Sequence, residues 1–357
     1  MQEWQANAGA TAVGSMPHTD RARVLDFLLR QLPEIPVWPQ LASFPEERMM
    51  AQYLEGLPGV RREGNRVWIQ TEGSEFDREL YEFFSDYLAL EEDDANLEQS
   101  RFAFGREAGR TFRQFLQTLG SIPAPKAVKG QITGPFTLLS TLKDQSGRAL
   151  LYDERFQEAL PKHLAMKARW QVRQLRRLQR PVIIFMDEPG LAGYGSSAFI
   201  SISEQQVHDQ LEEVTAGIHR AGALAGIHIC ANTDWGLVFR STIDIINFDA
   251  YNYLDKFLLY AEPLRTFLDQ GGTVAWGLIP TSTEPAALGE TANSLFNRWA
   301  EPLRQIDLAG MSLERIARQS LFTPSCGCGT LSEAQAENTI ALTRAVSDLV
   351  KIRCRLT

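Results

Sequence analysis

The chain has 357 residues, with 36 Lys+Arg against 44 Asp+Glu, a formal net charge of −8 and 44% hydrophobic residues. An acidic balance without a long basic cluster excludes a nucleic-acid footprint built on concentrated positive charge, and no apolar run nears the ~20 residues that span a bilayer. This is the composition of a globular protein acting on a small molecule, and with neither a basic n-region nor an apolar h-region in its first residues a cytoplasmic location is expected.

The length permits two domains at roughly 150 residues each, or a single large α/β barrel. Eight short apolar or β-branched runs, most separated by stretches of helical periodicity, predict the barrel: Ala10–Ser15, Ile35–Ala42, Ala127–Thr133, Val182–Asp187, Leu224–Cys230, Asp244–Asp249, Thr273–Ile279 and Leu321–Ser325. The expected architecture is thus α/β, a (β/α)8 TIM barrel forming one domain over residues 1–357. Amphipathic stretches at Asp153–Gln179, Glu204–Arg220, Glu262–Gln270 and Glu333–Arg353 read as helices packed outside it. The connection over residues 43–126, after the second strand, is far longer than an ordinary loop and should carry its own elements. Val60–Gln70 reads as a hairpin centred on Glu63-Gly64-Asn65, and Glu75–Glu91 and Leu97–Leu119 as helices. An insertion there emerges near the catalytic mouth of a barrel.

Chemistry gathers at the predicted strand ends. Val13-Gly14-Ser15-Met16-Pro17-His18 closes the first strand with a small-residue turn whose backbone N–H groups could hold a carboxylate. Met186-Asp187-Glu188-Pro189 sets carboxylates at the fourth mouth, Asp187 ending the strand and Glu188 suited to capping a helix. In Gly226-Ile227-His228-Ile229-Cys230, residues two apart share a face, so His228 and Cys230 both project inward. The eighth strand can bring Cys326 of Ser325-Cys326-Gly327-Cys328 across the mouth, and the sixth can bring Asp249 at its tip.

One imidazole, two thiolates and an oxygen ligand or open position suit a tetrahedral zinc of the catalytic type. The four cysteines are too few and too clustered for a secreted disulfide framework, which favours thiol or metal chemistry. A plainer reading leaves Cys230 and Cys326 as small buried apolar residues and His228 as a hydrogen-bonded core group. Cys328 is an alternative to Asp249 as fourth ligand, while Cys354, in a charged tail, reads as an exposed or packed thiol.

Taken in order along nearly the whole chain, Ala12-Val13-Gly14-Ser15-Met16-Pro17, Thr133-Gly134-Pro135, Asp187-Glu188-Pro189, His228-Ile229-Cys230 and Pro324-Ser325-Cys326-Gly327 resemble a family pattern. It is that of the catalytic C-terminal barrel of the cobalamin-independent methionine synthases, within the superfamily that includes uroporphyrinogen decarboxylase. The resemblance implies catalysis at a zinc held by His228, Cys230 and Cys326, which binds homocysteine as its thiolate. It further implies that the Ser15 turn holds the amino-acid carboxylate, that Asp187 pairs with the ammonium, and that Glu82 in Tyr81-Glu82-Phe83-Phe84 assists. The chemical logic is general: a free thiol of pKa ~8.5 is mostly protonated at neutral pH, and zinc removes that proton while leaving a nucleophile.

Three departures shape the expected donor. Asp249 stands where the family has a glutamate ligand, one methylene longer. Leu139-Ser140-Thr141 stands where the family packs a tryptophan on the folate pterin, and Trp276-Gly277-Leu278-Ile279-Pro280 lacks the family's histidine acid. The chain also reads as the core barrel without the separate N-terminal one. Methyltetrahydrofolate needs its amine leaving group protonated, so loss of the acid turns the expectation to an activated donor such as a methyl-corrinoid, free or on a small carrier protein. The expected partners are homocysteine or a related thiol and a corrinoid or corrinoid carrier, with no nucleic acid and no membrane. The competing readings are a folate-dependent homocysteine methyltransferase using His18 as its acid, a metal-free decarboxylase of the uroporphyrinogen type, and a zinc-binding barrel without turnover.

Overall fold

A computed structural model describes residues 4–356 except 65, 121, 122, 284–288, 307 and 309. Its strands are β1 (Gly9–Ala10), β2 (Ser15–Met16), β3 (Gln40–Leu41), β4 (Val60–Glu63), β5 (Arg66–Ile69), β6 (Val128–Thr133), β7 (Val182–Asp187), β8 (Leu224–Ile229), β9 (Ile245–Phe248), β10 (Thr273–Ile279) and β11 (Ser320–Pro324). Seven of them form one parallel, curled sheet in the order β1-β11-β10-β9-β8-β7-β6. Helices between successive strands cover its outer face, which is why β6 and β7 are buried along their whole length.

The expected closed ring of eight strands is therefore corrected to a half-barrel. Among the described residues β2 and β3 pair only with each other, and a single bridge, Val37 to Lys129, joins the second predicted run to β6. The reason lies in the sequence: Pro36 and Pro39 remove two N–H donors from Ile35–Ala42, so that run cannot sustain a ladder. The first run breaks between β1 and β2 at Gly14, whose φ of 149° lies outside strand geometry.

Side-chain parity organises the interior. Val182, Ile184 and Met186 of β7, Ala225, Ile227 and Ile229 of β8, and Ile246 and Phe248 of β9 face the helices. Their alternates Ile183, Phe185 and Ile245 join Ala127, Ala275 and Leu321 in an apolar plug inside the curl. One step beyond the plug toward the C-terminal strand ends, the inward row turns polar: Thr133, Asp187, His228 and Asn247 stand in register on four adjacent strands.

Over residues 43–126 the predicted hairpin is present as β4 paired antiparallel with β5, its central Asn65 lying outside the described residues. The helix Ser74–Glu92 matches expectation, whereas the second is confined to Arg110–Leu119. Gly105 and Gly109 interrupt the earlier part, and the Arg113 guanidinium donates to the carbonyls of Phe104, Gly105 and Arg106 instead of leaving them to a helix. The start of this segment touches β6: Thr133 Oγ1 donates to Met49 O at 2.6 Å and the Tyr53 hydroxyl to Gln131 O at 2.7 Å. Among the described residues no helix is long and apolar enough to cross a membrane.

Candidate metal centre

Parity places His228 on the inward face of β8, and Cys230 follows one step past the strand end. Cys326 follows β11 by two residues. The potential ligand atoms of these three residues lie within 4.8 Å of one another. Nδ1 of His228 is 2.6 Å from Oδ1 of Asn247, while Nε2 is buried with no hydrogen-bond partner. Burial holds the imidazole neutral, with a pKa down to about 4, opposed by the bond to Asn247 and reinforced by the charge of Lys129. A neutral ring with one unclaimed nitrogen is the form that binds a metal.

The two sulfurs face each other among the three ligand atoms, close enough for each to shift the other's ionisation through hydrogen bonding. That mutual interaction is the largest influence on Cys230, drawing its pKa down to about 7 against burial, and it drives the Cys326 thiol far up. A cation held between the two sulfurs would displace their remaining protons. An imidazole with two thiolates is a borderline-soft donor set of the kind zinc takes, with room for a further ligand. The residues present fit that ion.

Asp187 ends β7 beside His228, and its Oδ1 is buried without a partner. Burial raises its pKa to about 7, pulled back by Lys129 and raised further by Cys230 and Glu188. Lys129, fully buried, donates from Nζ to Val13 O at 2.7 Å and sits 4.2 Å from the centre of the Phe185 ring. The Ser15 turn abuts the cysteine loop: Cys328 N donates to Ser15 O at 2.9 Å, and a Cβ on Gly327 would lie 2.9 Å from that of Ser15, so only glycine fits.

The other predicted residues make the following contacts. Asp249 caps the helix Ala250–Phe257, accepting from Asn252 N at 3.0 Å and from Asn252 Nδ2 at 2.7 Å, and it stands outside the three-ligand group. Cys328 is buried among Ala10, Met16 and Leu331, with burial pushing its pKa up to about 12. Cys354 packs into the outer core. Glu82 lies exposed on the helix Ser74–Glu92, 3.8 Å from Arg78. His18 is buried and bonded through Nε2 to Glu337 at 3.2 Å. Glu188 does cap a helix, though the one after the Gly134-Pro135 turn: it accepts from Phe136 N, Thr137 N and Thr137 Oγ1 at 2.9, 2.8 and 2.5 Å.

Sequence reasoning passed over Lys129 and Asn247. Asn247 is the lone polar residue of the apolar strand Ile-Ile-Asn-Phe, and Lys129 is the charged residue of the strand Val-Lys-Gly-Gln-Ile-Thr; both lie on the inward parity, which was the available signal.

No family model matches the sequence, and no curated protein matches it. Among solved structures the fold is similar to that of a candidate vitamin-B12-independent methionine synthase from Listeria monocytogenes, at 14% identity and a TM-score of 0.51 over 96% of this chain and 97% of that one. At that identity the likeness speaks for the fold alone. A GH20 catalytic module of the pneumococcal exo-β-D-N-acetylglucosaminidase aligns at 9% identity over 96% of this chain and 85% of its own, but its TM-score of 0.47 carries no argument.

Proposed function

We propose that the chain is a zinc-dependent thiol S-methyltransferase that moves a methyl group from an activated donor, a methyl-corrinoid, to homocysteine, making methionine. The observation that carries this reading is the convergence of His228, Cys230 and Cys326 within 4.8 Å, with a buried, unpartnered Nε2 among them. The likeness of the fold to a candidate methionine synthase supports it, as do the ordered motifs from Ser15 to Cys326. When bound, zinc supplies the Lewis acidity that keeps a coordinated thiol deprotonated at neutral pH.

The protein's own groups supply the rest. His228, Cys230 and Cys326 would hold the ion. Asp187, with an unclaimed oxygen at the strand ends, binds the substrate ammonium, and the amides of the Ser15 turn bind its carboxylate. The insertion over residues 43–126 belongs to the same domain and walls the mouth. No side chain in this scheme protonates a leaving amine, in keeping with a donor that departs with its electron pair.

The test is metal analysis of purified protein, followed by methylcobalamin and methyltetrahydrofolate assayed side by side with homocysteine. Stoichiometric zinc, lost in both Cys230→Ser and Cys326→Ser, and methionine formed from methylcobalamin are expected. Unchanged zinc in both variants would defeat the site. Turnover with methyltetrahydrofolate alone would replace the corrinoid donor with folate.

A further inference from the structure

We propose that Asn247 is a positioning residue for the metal centre: it holds His228 as its Nδ1–H tautomer and so reserves the Nε2 lone pair for the ion. The inference rests on the metal reading above and adds a residue that lies outside the ligand set.

The argument is a count of donors and acceptors. Asn247 Nδ2 donates to Ala275 O at 2.7 Å and to Thr323 Oγ1 at 2.8 Å. Ala275 O carries no hydrogen, and the Thr323 hydroxyl gives its own to Pro324 O at 2.9 Å. Both hydrogens of the amide are therefore spent on acceptors, and a flipped amide would set its oxygen against a carbonyl. The atom left for His228 is Oδ1, at 2.6 Å from Nδ1, and an amide oxygen only accepts. Nδ1 must carry the proton. All the groups involved are buried, so water offers no substitute. The same amide ties β9 to β10 and to β11, three residues before Cys326, so one side chain braces both halves of the ligand set.

Long-range proton–nitrogen correlation NMR of the metal-free protein reads the tautomer directly, with the five histidines assigned using His228→Gln. Wild type is expected as Nδ1–H, and Asn247→Ala as a shift toward Nε2–H, with zinc affinity against a chromophoric chelator falling about 10–100-fold. Thr323→Val, which disturbs the same strands but leaves Oδ1 in place, should keep the tautomer and stay within about threefold in affinity. An Nε2–H signal in wild type overturns the proposal, whether or not any variant folds. An unchanged tautomer in Asn247→Ala, or equal losses in Thr323→Val, does so too. The NMR readout needs no zinc: a wild-type chain that binds none yet shows the Asn247-dependent Nδ1–H form defeats the metal reading, and with it the positioning role, while the tautomer assignment stands.

Discussion

Replacing Asp249 separates a metal ligand from a helix cap. The carboxylate accepts two hydrogen bonds from Asn252 at the start of the helix Ala250–Phe257. Losing such a cap costs about 1 kcal/mol, within a range of roughly 0.5–2, when alanine replaces it, and only a few tenths when asparagine does, because asparagine caps as well as aspartate. Unfolding entropy of about 2.1 cal/mol/K per residue over 357 residues amounts to ~0.75 kcal/mol/K. Asp249→Ala should therefore lower Tm by about 1–3 °C and Asp249→Asn by less than about 1 °C. Neither should weaken zinc binding beyond about threefold, since the negative charge of Asp249 raises the Cys230 pKa and its removal eases thiolate formation. Thermal melts with chelator, paired with competition against a chromophoric chelator, read both quantities. A loss of tenfold or more in zinc affinity with Asp249→Asn, at unchanged Tm, would make the carboxylate a ligand and refute the reasoning.

Asp187→Asn should raise KM for homocysteine about 10–100-fold at unchanged zinc content, the effect of losing one charge-assisted hydrogen bond; equal KM values would remove Asp187 from the substrate site. Gly277→Ala puts a Cβ 2.3 Å from Phe248 O and 3.0 Å from Ser325 Cα, both backbone atoms. About 1–3 kcal/mol of stability should be lost, seen as a lower denaturant midpoint, and an unmoved midpoint would contradict the packing described. Burial raises Glu188 to about 7 from 4.5, so the folded state keeps a proton that the unfolded chain releases. Its contribution to stability is complete below about pH 4.5 and is lost as pH rises through about 7, with a slope of at most about 1.4 kcal/mol per pH unit. Glu188→Gln, always neutral, should flatten that fall in urea titrations; parallel pH profiles for the two proteins would disprove it.

Much of the site was legible because the rules involved are local. Strand alternation has a period of two, so Ile183, Phe185 and Asp187, or Gly226 and His228, fall on one face whatever surrounds them. The motifs at Ser15, Asp187, His228 and Cys326 likewise mark strand ends. The break in the ring at Pro36 and Pro39 was also written in the chain, because a missing N–H is a property of the residue.

Tertiary structure alone decided which donor meets which acceptor. Asp249 and Glu188 are both carboxylates at strand ends, yet one caps the helix that follows it and the other a helix more than fifty residues earlier in the chain, after Pro135. Asn247 gains its meaning only once Ala275 and Thr323 have taken both its hydrogens and His228 faces what remains. A hydrogen bond is short-ranged and directional, so its partners are set by the packing of distant segments and leave no periodic trace in the sequence.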